Sequence, residues 1–439
     1  NIAGNLNIKS GNELNLGNNI ITITGTSDID GVLDFNNGGQ FRANGTFDAT
    51  GGTVQFTGPG GSLRLGGSTV TSLGNTFNEG TGSVRYNHSG NQIVLSETYY
   101  NLGIKNAGIK SAGGALDIDG TLNIFPSGEL AMGTYNADVA TGNNINIDGT
   151  LSITTGTFTT NGSTSDINGT LMINGAGTYD ANGEFDATGG NVTFSGAGSL
   201  ELGSTVTSLG TFGGPLSTLL FNGSSAQTIN ASSVNAGNLI VNNASGVTLN
   251  ADVTVNETLT LTAGDIISTS TEKLSLKSSV SGGSSSSHIS GPVDFIADGT
   301  NECTIPVGNG TDYTPIKLQR NGGSATTYTA EYTSGTAAGA SLNWNSYPLG
   351  LPHSGSNISS VNHAYYVDIA QASGSADAHV SLYFGDFNTV PSATDQYVVH
   401  WDGSKWEEMT TVSRSGNFVK VLATSFSPFS CILLGVSFK

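Results

Sequence analysis

The sequence predicts an all-β protein, with an N-terminal parallel β-helix or β-solenoid followed by a C-terminal β-sandwich. Three observations predict it: a long internal duplication, short alternating strands closed by Gly, Asn and Asp, and a composition shift past residue 287. The duplication is the strongest. Ala43-Asn44-Gly45-Thr46-Phe47-Asp48-Ala49-Thr50-Gly51-Gly52 recurs as Ala181-Asn182-Gly183-Glu184-Phe185-Asp186-Ala187-Thr188-Gly189-Gly190, an offset of 138 residues. After a slip to 136, Gly67-Ser68-Thr69-Val70-Thr71-Ser72-Leu73-Gly74 matches Gly203-Ser204-Thr205-Val206-Thr207-Ser208-Leu209-Gly210. Self-similarity over a fixed interval is the signature of repeat architectures.

Within the long unit a shorter motif recurs: Asp30-Gly31-Val32-Leu33, Asp119-Gly120-Thr121-Leu122, Asp148-Gly149-Thr150-Leu151 and Asn168-Gly169-Thr170-Leu171. Each reads as a turn followed by a strand with one apolar face, the glycine supplying left-handed backbone. The last two glycines lie 20 residues apart, which suits one coil of a solenoid. No helical periodicity of useful length interrupts the region. Coils stacked at about 4.8 Å would make a rod on the order of 65 Å long. A string of small antiparallel sandwiches is the competing reading, because it too uses short strands and closely spaced turns.

The composition shift sets the domain boundaries. All three Trp, both Cys, five of the six His and seven of the ten Pro fall beyond residue 287. The organisation expected is a repeat-containing solenoid over residues 1–275, a Ser/Gly-rich connection over 276–290 containing Ser281 to Ser287, and a sandwich over 291–439. Strands are expected at Tyr328 to Tyr332, Ala364 to Ile369, His379 to Phe384, Gln396 to Trp401, Phe418 to Leu422 and Ser430 to Val436. Trp401 and Trp406 flank an Asp-Gly turn, either as a cross-strand packing pair or as an exposed pair that stacks on a sugar ring. Cys303 and Cys431 would close a disulfide in an exported chain or remain as two buried thiols.

Charge narrows the function. Of 439 residues only 11% are charged, and 14 Lys and Arg stand against 33 Asp and Glu, for a net charge of −19. Such a balance repels polyphosphate and argues against nucleic acid, anionic membranes and acidic polysaccharides as partners. No apolar run approaches the roughly 20 residues that cross a bilayer, so membrane insertion is not expected. The thin charge also suits a solenoid, since stacked like charges on its outer ladders would repel. Asp28 with Asp30, and Asp117 with Asp119, each place two carboxylates on one side of a strand, as a Ca²⁺ site would. No third acidic ligand accompanies them, and Asp as a turn former explains them more simply, so no cofactor is expected. The scattered His lack metal-ligand spacing, and no nucleophile elbow or phosphate loop is present. Arg42, Arg64 and Arg85 are the only arginines of the repeat region, and Lys9, Lys105 and Lys110 lie scattered through it. A uronate lyase would need basic groups around its base, and a hydrolase would need two carboxylates in a groove. Neither is evident, and no catalytic residue is expected.

Ser83-Val84-Arg85-Tyr86-Asn87 followed by Tyr100-Asn101-Leu102-Gly103-Ile104 resembles the repeats of large secreted surface proteins of the Bacteroidetes. Leu219-Leu220-Phe221-Asn222-Gly223, running on to Asn238-Leu239-Ile240-Val241, fits the same pattern. Ile305-Pro306-Val307-Gly308-Asn309-Gly310, Tyr313-Thr314-Pro315-Ile316 and Thr424-Ser425-Phe426-Ser427-Pro428-Phe429 are similar to the module that such proteins carry before a type IX secretion signal domain. The resemblance implies an extracellular, cell-surface or filamentous protein, although the chain stops at Lys439, where a sorting domain would follow.

These observations lead to a structural, non-enzymatic subunit of a surface filament, assembled head to tail with copies of itself. The first coil, with Leu6, Ile8, Leu14 and Leu16, would present a strand edge. The apolar C-terminal strand, with Ile432, Leu433, Leu434 and Val436, would serve as the donor. A monomeric adhesin that binds glycans through Trp401 and Trp406 is the alternative, and a polysaccharide lyase or hydrolase stands behind it.

Overall fold

A computed structural model of the chain describes residues 1–335, 358–361, 365–385, 396–401, 406–426 and 428–434. Every regular element among these residues is a β-strand, and the coil pattern runs for about 15 turns. Two compact units are defined, 1–224 with 228–233, and 225–227 with 234–439.

In the first unit each coil contributes three short strands in chain order, and each strand stacks in parallel on its counterpart one coil later. The opening coil is Leu6–Ile8, Glu13–Asn15 and Ile20–Ile23, and the second is Ser27–Ile29, Val32–Asp34 and Gln40–Ala43. Leu6 pairs with Ser27, Leu14 with Leu33 and Ile21 with Phe41. The third stack runs unbroken through ten strands, from Ile20–Ile23 to Val206–Ser208. From Gln92–Val94 and Thr98–Tyr99 onward, two further parallel stacks take the first and second places in the coil. The 20-residue spacing in the sequence is one coil, since Leu151 pairs with Leu171.

Alternation buries every second side chain. On the third stack Phe41, Leu63, Val84, Leu102, Leu122 and Ile145 form one fully or almost fully buried column. Buried tyrosines keep their hydroxyls bonded: Tyr86 and Tyr99 share a bond of 2.9 Å, and Tyr179 meets Ser165 at 2.7 Å. Outward positions form the expected polar ladders, as where Asn146 donates to Asn123 at 2.8 Å.

The motif glycines have a different reason from the one expected. Gly31, Gly120, Gly149 and Gly169 are absent from the left-handed region. At all four, a Cβ would fall 2.1 to 2.3 Å from a backbone carbonyl oxygen of the preceding coil. Glycine is required there because successive coils touch at the corners.

The two copies of the long repeat do not occupy the same stack. Phe47–Asp48 belongs to the first, and Phe185–Asp186, its equivalent, to the third; they are twenty strands apart with three strands per coil.

In the second unit the parallel pattern continues past residue 275. Val253, Leu274 and Val293 pair in succession, as do Val247, Ile266, Ile289 and Val307. Residues 276–290, expected as a connection, carry strands Ser279–Gly282 and Ile289–Ser290 and a Ser284–Ser287 bridge. Their serines read as flexible by composition, but Ser279, Ser281 and Ser290 sit in ladders and Ser284 to Ser287 close a turn. Val293–Ala297 is the switch, parallel to Leu274–Leu276 on one side and antiparallel to Thr326–Ser334 on the other. Beyond it Val307–Asn309 still pairs in parallel with Ile289–Ser290, and the other pairings are antiparallel. One sheet joins Cys303–Ile305, Ile316–Asn321, Asp377–Tyr383, Phe418–Ala423 and Thr411–Ser415. Thr326–Ser334, Tyr365–Ser373, Pro428–Leu434 and Gln396–Trp401 pair in the other.

Candidate functional site

The first-coil residues form part of a strand edge. Ile8 and Leu16 are buried, Leu6 and Leu14 half-buried, and Ile20 keeps 60% of its surface exposed. Leu6–Ile8 and Glu13–Asn15 pair with the second coil, and Ile20–Ile23 pairs with the second coil on one side and bridges to Ile2 on the other.

The expected donor strand is already engaged. Pro428–Leu434 pairs with Gln396–Trp401 through Leu433 and Gln396, and with Ile358–Val361 through Ile432 and Val361. Both edges are taken within its own chain, so Ile432, Leu433 and Leu434 offer no free backbone to a neighbour. Their side chains, and all of Val436, lie outside the described residues.

Cys303 and Cys431 are buried free thiols on strands of different sheets, which corrects the disulfide reading. Cys303 Sγ donates to the Ser278 carbonyl at 3.1 Å, and burial pushes its pKa up to about 11. Trp401 is half-buried and stands directly opposite Trp406 in the hairpin register, in the cross-strand packing position. The Trp406 side chain and turn residues 402–405 lie outside the described residues.

Carboxylates gather where the sequence reading saw only turn residues. Asp117 pairs with Asp138, Asp180 with Glu201, and Thr159 lies between, so four acidic side chains stack in five consecutive coils. At one end lies a shallow concavity of about 610 Å³ that includes Glu97, Asp117 and Asp138 among Ser, Thr, Asn, Ala and Leu side chains. Burial raises the Glu97 carboxyl above the usual range. Asp119 is raised by desolvation and by Asp117, Glu79 and Asp138, and Glu201 by desolvation and Asp180. Of the two candidate Ca²⁺ pairs, Asp117 still acts on Asp119. Asp28 accepts from Asn7 at 2.7 Å, and no three acidic, His or Cys groups converge on a point among the described residues.

Carboxyl groups whose pKa is raised by folding favour the protonated form in the fold. Their stabilising effect is complete below the ordinary carboxylate range and is lost as pH rises through the elevated value. Glu201→Gln should therefore raise the melting temperature at pH 7.5 by roughly 1–2 °C and leave it unchanged near pH 4. This corresponds to ~0.5 kcal/mol for relieving a cross-strand like-charge contact at a half-exposed, screened position. Calorimetry at both pH values checks it; an equal change at both would remove electrostatics as the cause.

The basic residues are ordered as well. Arg42, Arg64 and Arg85 stack in register in three successive coils of the third stack, half-buried and facing outward. Desolvation, Arg85 and Arg42 together lower the pKa of the middle guanidinium, and Arg64 Nε has no hydrogen-bond partner. Arg85 and Lys105 flank the Phe125 ring at 5.4 and 5.6 Å. Spacings of 22 and 21 residues, each one coil, were the available signal. Lys110 turns inward instead, against its reading as one of the scattered basic residues, and is fully buried.

No protein-family model, curated protein or solved structure matches the chain. The fold alone defines its class: an all-β repeat protein built on a parallel β-solenoid.

Proposed function

We propose that the chain is a structural, non-catalytic protein of the cell surface, a filament subunit that adds end-on through the strand edge of its first coil. The observation that carries this reading is the parallel register of the first coil on the second, which leaves backbone groups of the first coil pointing away from the second. Leu6 N donates to Thr26 O and Ile8 O accepts from Asp30 N, so the alternating geometry aims the Asn7 amide away from the second coil. By the same logic Val32 N bonds Asn12 O and Leu16 N bonds Asp34 O, which leaves the Glu13 amide on that side. Such an edge recruits strands.

Proline at these two positions removes edge donors and keeps the backbone bonds between coils, at the loss of the exposed side-chain bond from Asn7 to Asp28. Electron microscopy of the purified chain should show fibres, and Asn7→Pro with Glu13→Pro should give soluble monomers of unchanged circular dichroism. Fibres that persist in the double variant would overturn end-on addition.

A second reading, cleavage of a polysaccharide, draws on the concavity with its raised Glu97. Against it, the carboxylates form a row without convergence, and no aromatic, Lys, Arg or His residue lines the depression. Release of reducing ends that is lost in Glu97→Gln would favour catalysis. Saturable binding on a glycan array that is lost in Trp401→Ala would favour the adhesin.

A further inference from the structure

Charge on the outward column of the third stack is sorted by position. Arg42, Arg64 and Arg85 occupy the second to fourth coils. Gly103, Asn123 and Asn146 follow in register, and then Asp166 and Asp186 in the eighth and ninth. The basic run and the acidic run are centred five to six coils apart, about 26 Å at the ordinary strand spacing. That is several Debye lengths at physiological salt, where screening acts over about 8 Å, so the runs do not neutralise each other within one chain. Among the described residues no carboxylate pairs with any of the three arginines. Arg42 donates to Gln40 and Arg85 lies over Phe125, but no negative charge among the described residues of their own chain offsets the mutual repulsion of the stacked guanidinium groups.

We propose that this face is the contact between two copies of the chain lying side by side in opposite directions, the arginine run of each against the aspartate run of the other. A two-fold axis through the middle of the column brings the two runs into coincidence, since the arginines are centred on the third coil and the aspartates midway between the eighth and ninth. An interface of this kind is self-complementary and closed. The axis passes near Asn123, where the column is small and neutral. Gly103 has no side chain there, and Asn123 and Asn146 already bond each other at 2.8 Å, so close approach buries few unmet polar groups. Ten strands spaced about 4.8 Å apart, each about four residues long, offer roughly 600 Å² per copy, or about 1,200 Å² in total, at the lower end for a specific complex. The pair is therefore weak and its register is set by charge.

An acidic polysaccharide is the other candidate for the arginine run. A chain of net charge −19 opposes it beyond the three rungs, and it gives no role to the aspartate run in the same column.

The test uses sedimentation of the full chain in 0.15 M salt. The unmodified protein should form a reversible pair. Arg42→Glu with Arg64→Glu and Arg85→Glu should weaken pairing roughly a hundredfold, as should Asp166→Lys with Asp186→Lys, because each variant now faces its own sign. An equimolar mixture of the two variants should pair again, since every contact across the axis is then of opposite sign. If three stacked glutamates prevent folding, the glutamine triple variant should still weaken pairing about tenfold. Where end-on fibres form, these substitutions should change their width and leave their length intact, which separates this contact from end-on addition. A protein that stays monomeric at all concentrations, or variants that fold but do not pair when mixed, would overturn the proposal. So would a monomer that binds dextran sulfate through the three arginines.

Discussion

Gly190→Ala is expected to cost about 3 kcal/mol, or roughly 6–12 °C in the melting temperature of the solenoid. A Cβ at this position would lie 2.1 Å from the Ile167 carbonyl oxygen and 3.1 Å from that of Gly169. Both atoms are backbone in the coil below, so relief requires two coils to separate and their ladder bonds to lengthen. The neighbouring Gly189 is the control. It has φ +81° but open space around its Cα, so alanine there carries only the left-handed penalty of roughly 1–2 kcal/mol. A thermal melt that ranks Gly189→Ala as the more damaging change would mean that backbone conformation outweighs contact between coils. Gly52 in the first repeat copy meets Ile29 O at the same 2.1 Å, and its alanine variant should behave alike.

Lys110→Met should be more damaging still, at about 4 kcal/mol. The ammonium of this buried side chain donates to the carbonyls of Gly90, Asn106, Ala107 and Gly108 at 3.2, 3.3, 2.7 and 3.0 Å. It thereby closes a corner in which Asn106 and Gly108 are left-handed. Methionine fills a similar volume but leaves the carbonyls without a charged donor, and hydrogen bonds to charged groups contribute about 1.5–3 kcal/mol each. Burial lowers the pKa of the amine, so the carbonyl cage opposes a real desolvation cost. Urea unfolding checks this. A loss below about 1 kcal/mol would show that water takes over the lysine's bonds.

Much of the fold was legible because stacking repeats its demands. The 20-residue spacing of Gly149 and Gly169 follows from coils that must superpose, and Leu151 on Leu171 is that superposition. Composition misled where a residue type has two uses. Ser281 to Ser287 suggested a loose connection, yet Ser281 sits in a ladder and Ser284 to Ser287 close a hydrogen-bonded turn, and Lys110 looked like a surface residue until its neighbours supplied four carbonyls. The engagement of Pro428–Leu434 on both edges was not legible, because pairing between distant strands leaves no local mark. Charge was misjudged for a related reason. Counting assigned the acidic residues to turns, but the coil period sets Asp117 beside Asp138 and Arg42 beside Arg64, so sparse charge became concentrated.

The offset between the two repeat copies has an evolutionary consequence. Twenty strands at three per revolution is six and two-thirds revolutions, so the duplicated block returns one-third of a turn out of phase. Lengthening the chain by further copies of this block would wind its distinctive surface around the axis as a screw thread. Only every third copy would face the same way, and any feature selected for lying along one side, such as the paired charge runs, would have to arise in each copy by separate substitution.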